Sequence, residues 1–245
     1  MNSIDGDVVK YEFSSIVTFA NGMQSKLKKV ESLNINKKGK SYIYTFIGSC
    51  DETLQNEPIS GNNEVVLSFG KALYPLSMQV SEDGDIERIV DFPMLKERWM
   101  KKRDELVAKY DNNIYIKKEA ENYALGLESE ATLLSILKEN MFYKLLFWQI
   151  DKDEQTLEIR DFPSYARSAI FSFRRPQKEN GSWVFDTFDV RDEGSGHILS
   201  GRSTLSCIYD DNGLPESVNV KSMVEEENVG YFTKEIVIKR IMNEG

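Results

Sequence analysis

Residues 116–150, IKKEAENYALGLESEATLLSILKENMFYKLLFWQI, decide the fold because apolar residues recur here at helical spacing over a long distance. The apolar positions step by three or four residues, which places them in one stripe along a helix or along successive helices. Such a stripe has to be buried, and strand-like sequence on both sides of the segment supplies the covering surface. The stripe consists of Ile116, Ala120, Tyr123, Leu127, Ala131, Leu134, Leu137, Met141, Leu145 and Trp148.

A further helix is predicted immediately before this segment, over residues 91–110. Asp91 is a residue type that caps helix N-termini, and Pro93 falls in the first turn, where its missing N–H costs little. Further along, Gly126 is expected to weaken the second helix, and Ser129 is able to cap a restart. Together these stretches predict two or three helices.

The residues before the helices, 8–90, are predicted to form strands. Residues 8–19 alternate apolar and polar side chains, which is the period-two pattern of a half-buried strand. Asn21 and Gly22 follow as a hairpin signal, since both residue types tolerate positive φ. Further strands are predicted at residues 25–35, 41–49, 65–69, 72–80 and 86–90.

The residues after the helices, 155–241, are again predicted to form strands. Turn-forming residues separate the apolar runs at short and fairly regular intervals, which is typical of an antiparallel meander. Six strands are predicted here, at residues 156–161, 168–175, 183–190, 198–208, 217–225 and 231–241.

These blocks predict a single α+β domain over residues 1–245. Neither region that flanks the helices resembles a flexible linker, so one antiparallel sheet of about ten or eleven strands is the economical arrangement. We expect this sheet to be strongly curved, like a half-barrel, and to wrap around the central block of two or three helices. The helical stripe and the apolar strand faces are then buried together.

One late turn, together with the order of the elements, indicates a family resemblance. The turn is Tyr209-Asp-Asp-Asn-Gly-Leu-Pro215 between two predicted strands. With the strand order around a central helical block, it resembles the half-barrel of the LolA/LppX group of lipoprotein and lipid carriers. The resemblance spans most of the chain at the level of architecture and implies an apolar cavity between sheet and helices. The absence of a signal sequence departs from that group.

Charge and composition restrict the classes of function. The formal charge of −9 argues against nonspecific binding to nucleic acid or to anionic membranes. No run approaches the roughly 20 apolar residues of a transmembrane helix. The first residues, MNSIDGDVVKYEF, lack the basic start and the apolar stretch of a secretory signal. The compartment is left open: cytoplasmic for the chain as written, or envelope or periplasm if a signal has been removed.

Few residues are suited to catalysis or metal binding. Cys50 and Cys207 are too few for a disulfide scaffold, so two buried reduced thiols are expected, with one long-range disulfide as the alternative in an exported protein. His197 is the only histidine, which excludes a multi-histidine metal site. The sequence contains no phosphate loop, dinucleotide motif, zinc-spaced cysteine pair or nucleophile elbow. We therefore expect no cofactor, no metal ion and no enzymatic activity.

The function predicted from these observations is a non-enzymatic binding module. The first hypothesis is an apolar small molecule, lipid or acyl chain held between the sheet and the helices. The alternative is a protein–protein interaction module, such as an adaptor, assembly component or inhibitor, with a fully packed interior. Neither hypothesis involves nucleic acid. The residues predicted to line the ligand site are Tyr42, Tyr44, Phe46, Met141, Phe142, Leu145, Phe147 and Trp148.

Overall fold

The computed structural model describes residues 8–110, 113–150, 154–160, 162–163, 168–192 and 198–241. Over these ranges the chain has an α+β fold, with an open antiparallel sheet of thirteen strands and five helices. Four of the helices follow one another in the middle of the chain, between two blocks of strands. The predicted α+β class, with its large antiparallel sheet and central helices, is confirmed.

The elements occur in three blocks along the chain. The first block is β1 (Val8–Thr18), β2 (Gln24–Lys38), β3 (Ser41–Leu54), β4 (Glu57–Pro58), α1 (Asn62–Lys71), β5 (Leu76–Ser81) and β6 (Ile86–Ile89). The helical block is α2 (Phe92–Lys109), α3 (Ile114–Gly126), α4 (Glu130–Glu139) and α5 (Met141–Leu146). The last block is β7 (Glu154–Arg160), β8 (Ser168–Arg174), β9 (Gln177–Glu179), β10 (Ser182–Asp192), β11 (Ile198–Tyr209), β12 (Pro215–Glu226) and β13 (Gly230–Ile241). Within the described ranges, none of the helices has both the length and the apolar character needed to span a bilayer.

The chain divides into two compact units. Unit 1 comprises Met1–Lys10, Val30–Glu52 and Glu57–Phe147, and unit 2 comprises Tyr11–Lys29, Thr53–Asn56 and Trp148–Gly245. The long strands β1, β2 and β3 contribute residues to both units. The expectation of a single domain over residues 1–245 stays a prediction.

Unit 1 contains all five helices and strands in the order β6–β5–β3–β2–β1. Side chains alternate between buried and partly exposed along β5, where Leu76, Met78 and Val80 are buried, as the period-two pattern requires. Helix α4 is attached to β6 by a hydrogen bond: the backbone N–H of Ile89 donates to Oε1 of Glu130 at 2.8 Å.

The strand predicted at residues 65–69 is wrong, because this segment belongs to helix α1. Val65 and Phe69 are buried at i,i+4 spacing, so one helical face is covered. The ring of Phe69 lies 6.3 Å from that of Trp99, whose indole N–H donates to the backbone oxygen of Phe69 at 3.1 Å. Gly61 precedes the helix with a φ of 63° and supplies no side-chain cap. The strand predicted at 72–80 is correspondingly shorter and begins at Leu76.

The numbers of elements also differ from the prediction. The described part of the chain has five helices rather than two or three, because α1 is added and Asn140 separates α5 from α4. Asn140 has an extended backbone, and its side chain accepts a hydrogen bond from the N–H of Phe142 at 3.0 Å, which caps the new helix. Within the described ranges, thirteen strands replace the expected ten or eleven, partly because the short strands β4 and β9 were not predicted.

The long helices lie close to their predicted positions, but the capping role predicted for Asp91 is wrong. Helix α2 begins after Asp91 with Pro93 in its first turn, although the side chain of Asp91 makes no capping hydrogen bond within the described part of the chain. Helix α3 ends at Gly126. Ser129 then starts α4 by accepting a hydrogen bond from the N–H of Thr132 at 3.1 Å, which is the predicted capping role.

The predicted apolar stripe is mostly, but not wholly, the buried face. In α4 Leu133 is buried in place of the predicted Leu134, and the predicted Ala131 is exposed. The stripe therefore changes face where the helix restarts after Gly126. The buried members are Ile116, Ala120, Leu127, Leu137, Leu145 and Trp148.

Unit 2 contains the antiparallel meander predicted for the end of the chain. Its strands run in the order β2–β1–β13–β12–β11–β10–β8–β7, and β9 pairs with β10. All six predicted strands are present as β7, β8 and β10 to β13. Their apolar side chains form a core whose fully buried members include Leu157, Ile159, Phe171, Phe173, Phe185, Leu205, Val218, Val220, Ile236 and Ile238.

Candidate ligand-binding site

Seven of the eight residues predicted to line the ligand site lie in unit 1. Strand β3 carries Tyr42, Tyr44 and Phe46, and α5 with its C-cap carries Met141, Phe142, Leu145 and Phe147. Their rings meet in pairs: the Tyr44 and Phe147 centroids are 4.8 Å apart, and the Phe46 and Phe142 centroids are 6.1 Å apart. Tyr143 joins them with its ring 5.0 Å from that of Phe46. We call the set Tyr42, Tyr44, Phe46, Phe142, Tyr143 and Phe147 the aromatic cluster.

Burial divides these residues into an inner and an outer group. Phe46 and Leu145 are fully buried and Phe142 is 1% exposed, so the inner side chains pack as a core. Tyr42 and Phe147 are only partly buried, as is Met141. A ligand would therefore reach the outer three side chains without displacing packed rings.

The eighth predicted residue, Trp148, belongs to unit 2. Its ring meets the rings of Phe173 and Phe185 edge-on, at centroid distances of 6.1 Å and 5.9 Å. Its backbone oxygen accepts a hydrogen bond from the hydroxyl of Tyr209 at 2.7 Å. The indole nitrogen is buried and has no hydrogen-bond partner among the described residues. Within unit 2, Trp148 is thus a core residue.

A buried carboxylate adjoins the aromatic cluster. Glu31 on β2 is fully buried, and the hydroxyl of Tyr74 lies 2.8 Å and 2.9 Å from its two carboxylate oxygens. Burial, and then the neighbouring Tyr143 and Glu31, raise the pKa of Tyr74 far above its usual value. Burial and the charge of Glu31 likewise raise the pKa of Tyr143. Both phenols therefore stay protonated at neutral pH.

The sequence analysis missed Glu31, although the strand pattern contains a signal for it. Glu31, Leu33 and Ile35 occupy alternate positions of β2, and all three are buried. A charged residue that continues an apolar alternation lies on the covered face of its strand. Such a residue requires a hydrogen-bonding partner, which Tyr74 provides here.

A groove of about 460 Å³ lies between α2 and α3 in unit 1, and we call it the α2–α3 groove. Ala120 is 4% exposed, Val107 and Ala124 are partly buried, and Ala108 is exposed. Four charged residues, two cationic and two anionic, also line the groove. Two of them form an ion pair, since Nη2 of Arg103 lies 2.6 Å from Oδ1 of Asp104. The lining residues are Arg103, Asp104, Val107, Ala108, Lys117, Ala120, Glu121 and Ala124.

The α2–α3 groove was not predicted from the sequence. Its apolar residues are mostly alanines, whose small side chains leave the space between the two helices open. Ala120 and Ala124 are four residues apart, so they lie on one face of α3. A pair of alanines at this spacing, facing a further alanine on the preceding helix, is the signal that was available.

The two cysteines are both free. Cys207 is buried as expected, and burial raises its pKa to about 12. Cys50 is exposed, so the expectation of two buried thiols is wrong for this residue. It lies near the end of β3, where its Sγ is 3.7 Å from a carboxylate oxygen of Asp51. His197, the only histidine of the sequence, lies outside the described residues.

The described residues include no group of three or more histidine, cysteine, aspartate or glutamate side chains that could hold a metal ion. No protein-family model matches the sequence, and no curated protein matches it. The function proposed below therefore depends on the geometry of this chain alone.

Proposed function

We propose that this protein is a non-enzymatic binding module that accommodates an apolar ligand, such as an acyl chain, in the α2–α3 groove. The observation that carries the proposal is a concave volume of about 460 Å³ lined by Val107 and three alanines. Binding pockets for small molecules have volumes of about 300–1,000 Å³ and mostly apolar linings. The groove has a volume in this range, and four of its eight lining residues are apolar.

The charged residues of the groove suit a chain with a weakly charged head. Arg103 and Lys117 balance Asp104 and Glu121 in number, so the lining has no net formal charge. Each helix contributes one cation and one anion, with Arg103 paired to Asp104, and the alanines form the apolar part of the lining along which a chain would lie. This arrangement supports a fatty acid or another single-chain amphiphile over a multiply charged ligand.

The expected affinity is modest because the groove is open to solvent. A fully buried methylene contributes about 0.8 kcal/mol, and each methylene of a chain in an open groove gains only part of this. Release is correspondingly fast, as a carrier requires.

The three partly buried residues of the predicted site supply a second contact surface for the same class of ligand. Tyr42, Met141 and Phe147 are partly exposed and adjoin a packed apolar core. The order of strands around central helices also supports a relationship to the LolA/LppX carriers, which remains a proposal here. Whichever surface the ligand contacts, the inner rings of the aromatic cluster, Phe46 and Phe142, remain part of the packed core.

The proposal is tested with a fluorescent fatty acid, dansyl-undecanoic acid, and variants that fill the groove from either helix. Ala124→Phe and Ala108→Phe are expected to weaken binding by about tenfold or more, because each ring occupies the ligand volume. Ala131→Phe is the matched control, since Ala131 is exposed on α4 and does not line the groove. Binding of the probe to both groove variants with wild-type affinity would overturn the proposal, as would a wild-type protein that does not bind it.

A protein partner is the second candidate, because exposed apolar side chains occur on α3 and α4. Leu125 is 65% exposed at the end of α3, and Ile136 is 50% exposed on α4. A Cβ added to Gly126 would lie 2.9 Å from Cδ1 of Ile136, so α3 and α4 approach closely at this point. Clustered apolar surface of this kind is typical of interaction sites.

The second candidate makes a different experimental prediction. The double variant Leu125→Lys/Ile136→Lys should remove a stoichiometric partner from a pull-down with the native source but leave binding of the fatty-acid probe unchanged. An identical set of captured proteins for wild type and the double variant would exclude this surface as the interaction site.

A further inference from the structure

A second concave surface, of about 430 Å³, lies in unit 2 on the strands β7, β8 and β10, and its lining differs in chemistry from the α2–α3 groove. An amide, two hydroxyls, an aromatic ring and a guanidinium surround it. We call it the β7–β10 cavity. The lining residues are Gln155, Thr156, Ser172, Phe188 and Arg191.

The strand register explains why the two hydroxyls lie together. Thr156 on β7 pairs with Ser172 on β8, and Ser172 pairs in turn with Asp189 on β10. Cross-strand partners project to the same face of a sheet, so the two hydroxyls are neighbours. Phe171 and Phe173 project to the opposite face and are fully buried in the core of unit 2.

A β-bulge brings an aromatic ring to the same cavity. The register of β10 against β8 shifts between Thr187 and Asp189, so Phe188 is the extra residue of β10. A bulge redirects side chains that a regular strand would orient differently. Phe188 consequently lines the β7–β10 cavity while remaining 44% exposed. An apolar ring this exposed has little role in the core of the unit.

The hydroxyl of Ser172 is the observation that indicates a ligand. Ser172 is only 4% exposed, and its Oγ is buried without a hydrogen-bond partner among the described residues. A buried hydroxyl without a partner is destabilising, and an alanine would avoid this cost. The serine lines a cavity large enough for a small molecule, so a bound acceptor would satisfy it.

The charges around the cavity favour an anion. Arg191 lines the cavity and pairs through Nε with Asp189 at 3.1 Å. The guanidinium of Arg174 lies 4.9 Å from the centroid of the Phe188 ring. Among the five residues that line the cavity, Arg191 is the one with a charged side chain, so the lining carries one formal positive charge in a protein whose formal charge is −9. A cationic lining in an acidic chain favours an anionic ligand.

We propose that the β7–β10 cavity binds a small aromatic carboxylate. Its carboxylate accepts hydrogen bonds from the guanidinium of Arg191 and the hydroxyl of Ser172, since charge-assisted bonds of this type are strong. Its ring packs against Phe188, in the offset or edge-to-face geometry that aromatic pairs prefer. This inference concerns residues of unit 2 and does not rest on the proposed function of the α2–α3 groove.

Benzoate is the probe, with binding followed by titration in ligand-observed and protein-observed NMR. A ligand of this size is expected to bind with a Kd of about 1 mM. Benzamide retains the ring without the charge, and acetate retains the charge without the ring. Both are expected to bind about tenfold more weakly than benzoate, because each lacks one of the two recognised features. A benzoate affinity no greater than that of acetate would show adventitious anion binding and overturn the proposal.

Variants of the lining distinguish this site from the rest of the surface. Arg191→Gln and Ser172→Ala are expected to weaken benzoate binding by about tenfold. Arg202→Gln, at an exposed position on β11 outside the cavity, is the control and should bind like wild type. Ser172→Ala should also raise the Tm of the free protein, because it removes an unpaired buried hydroxyl. Wild-type affinity in both cavity variants would overturn the assignment, whatever their stability.

Discussion

The hydroxyl of Tyr74 lies within hydrogen-bond distance of both carboxylate oxygens of Glu31, at 2.9 Å from Oε1 and 2.8 Å from Oε2. Tyr74 follows helix α1, whereas Glu31 is a fully buried residue of β2. The contact therefore joins two parts of unit 1 that are 43 residues apart in the chain. A carboxylate in the interior is stable only where donors replace the water that it has lost.

Removal of this donor should destabilise the protein strongly. In Tyr74→Phe the ring and its packing remain, but the Glu31 carboxylate loses a hydrogen bond in a buried site, which costs about 2–3 kcal/mol. Urea unfolding followed by circular dichroism measures the change. Tyr115→Phe, at a residue 42% exposed in the same unit, is the matched control and should be neutral. An equal stability for both variants would mean that the contact with Glu31 contributes nothing.

The buried phenols predict a loss of stability at alkaline pH. Burial raises the pKa of Tyr11, Tyr74, Tyr143 and Tyr209 in the folded state, and it is the largest cause in each case. Above pH 10 the unfolded chain releases these protons while the folded chain retains them, so unfolding becomes more favourable as the pH rises. Each group contributes a slope of about 1.4 kcal/mol per pH unit.

The alkaline prediction is checked by urea titrations between pH 8.5 and pH 11. The stability should be nearly constant below the ordinary tyrosine pKa of about 10 and should fall steeply above it. Tyr74→Phe should reduce the slope of stability against pH by the contribution of one phenol, about 1.4 kcal/mol per pH unit. A flat profile up to pH 11 would show that the phenols titrate freely in the folded protein.

Helix α1 shows why one part of unit 1 was mispredicted. Its segment Val65–Phe69 is short and apolar, and such runs do not distinguish a buried strand from a buried helix. The usual start signal is absent, because Gly61 occupies the N-cap position without a side chain. What selects the helix is the contact of Phe69 with Trp99, a residue 30 positions further along the chain. Contacts of this kind are not readable from local sequence.

The candidate sites were harder to predict than the strands. The long helices and the late strands follow from periodicity and caps, as Ser129 and Gly126 illustrate. The α2–α3 groove depends instead on the absence of bulk at Ala120 and Ala124. The β7–β10 cavity depends on a bulge at Phe188 that no turn signal marks. Large aromatic residues indicated a binding site in the sequence, yet several of them are packed core in the structure.

Arg98 is predicted to stabilise the connection between α1 and β5. Its guanidinium donates to the backbone oxygens of Leu73 and Pro75 at 2.9 Å each, and its Nε donates to that of Ala72 at 3.3 Å. Arg98→Met keeps most of the apolar stem and leaves these carbonyls without their charged donor, at a cost of about 1–2 kcal/mol. Lys101→Met, on the exposed side of the same helix, is the control. Equal urea midpoints for the two variants would contradict the prediction.

Asp210 and Arg240 should stabilise unit 2 in a pH-dependent manner. Burial acts to raise the pKa of Asp210, but hydrogen bonds from Arg240 and from the N–H groups of Leu214 and Asn212 outweigh it and lower the pKa. A carboxylate with a depressed folded pKa stabilises the protein above its unfolded pKa of about 3.9, and this contribution is lost as the pH falls through the folded value.

Asp210→Asn tests this assignment, because the amide oxygen can still accept from the turn N–H groups while the charge is lost. The side chain of Asp210 is 15% exposed and lies 2.6 Å from Nη1 of Arg240, so the variant should lose about 1–2 kcal/mol at pH 7. The difference from wild type should shrink as the pH is lowered toward 3, since Asp210 is then progressively protonated. A difference that is independent of pH would show that the charge of Asp210 is not responsible.

The two thiols should differ sharply in reactivity in the folded protein. Cys50 is exposed, although partial burial and the neighbouring Asp51 raise its pKa, so it should react slowly with iodoacetamide at pH 8. Cys207 is fully buried with a pKa of about 12, and it should react only after unfolding. Intact-mass spectrometry should therefore find one modification in buffer and two in urea, and Cys50→Ser should show none in buffer. Modification of Cys207 in buffer, at a rate similar to that of Cys50, would contradict the burial of this strand.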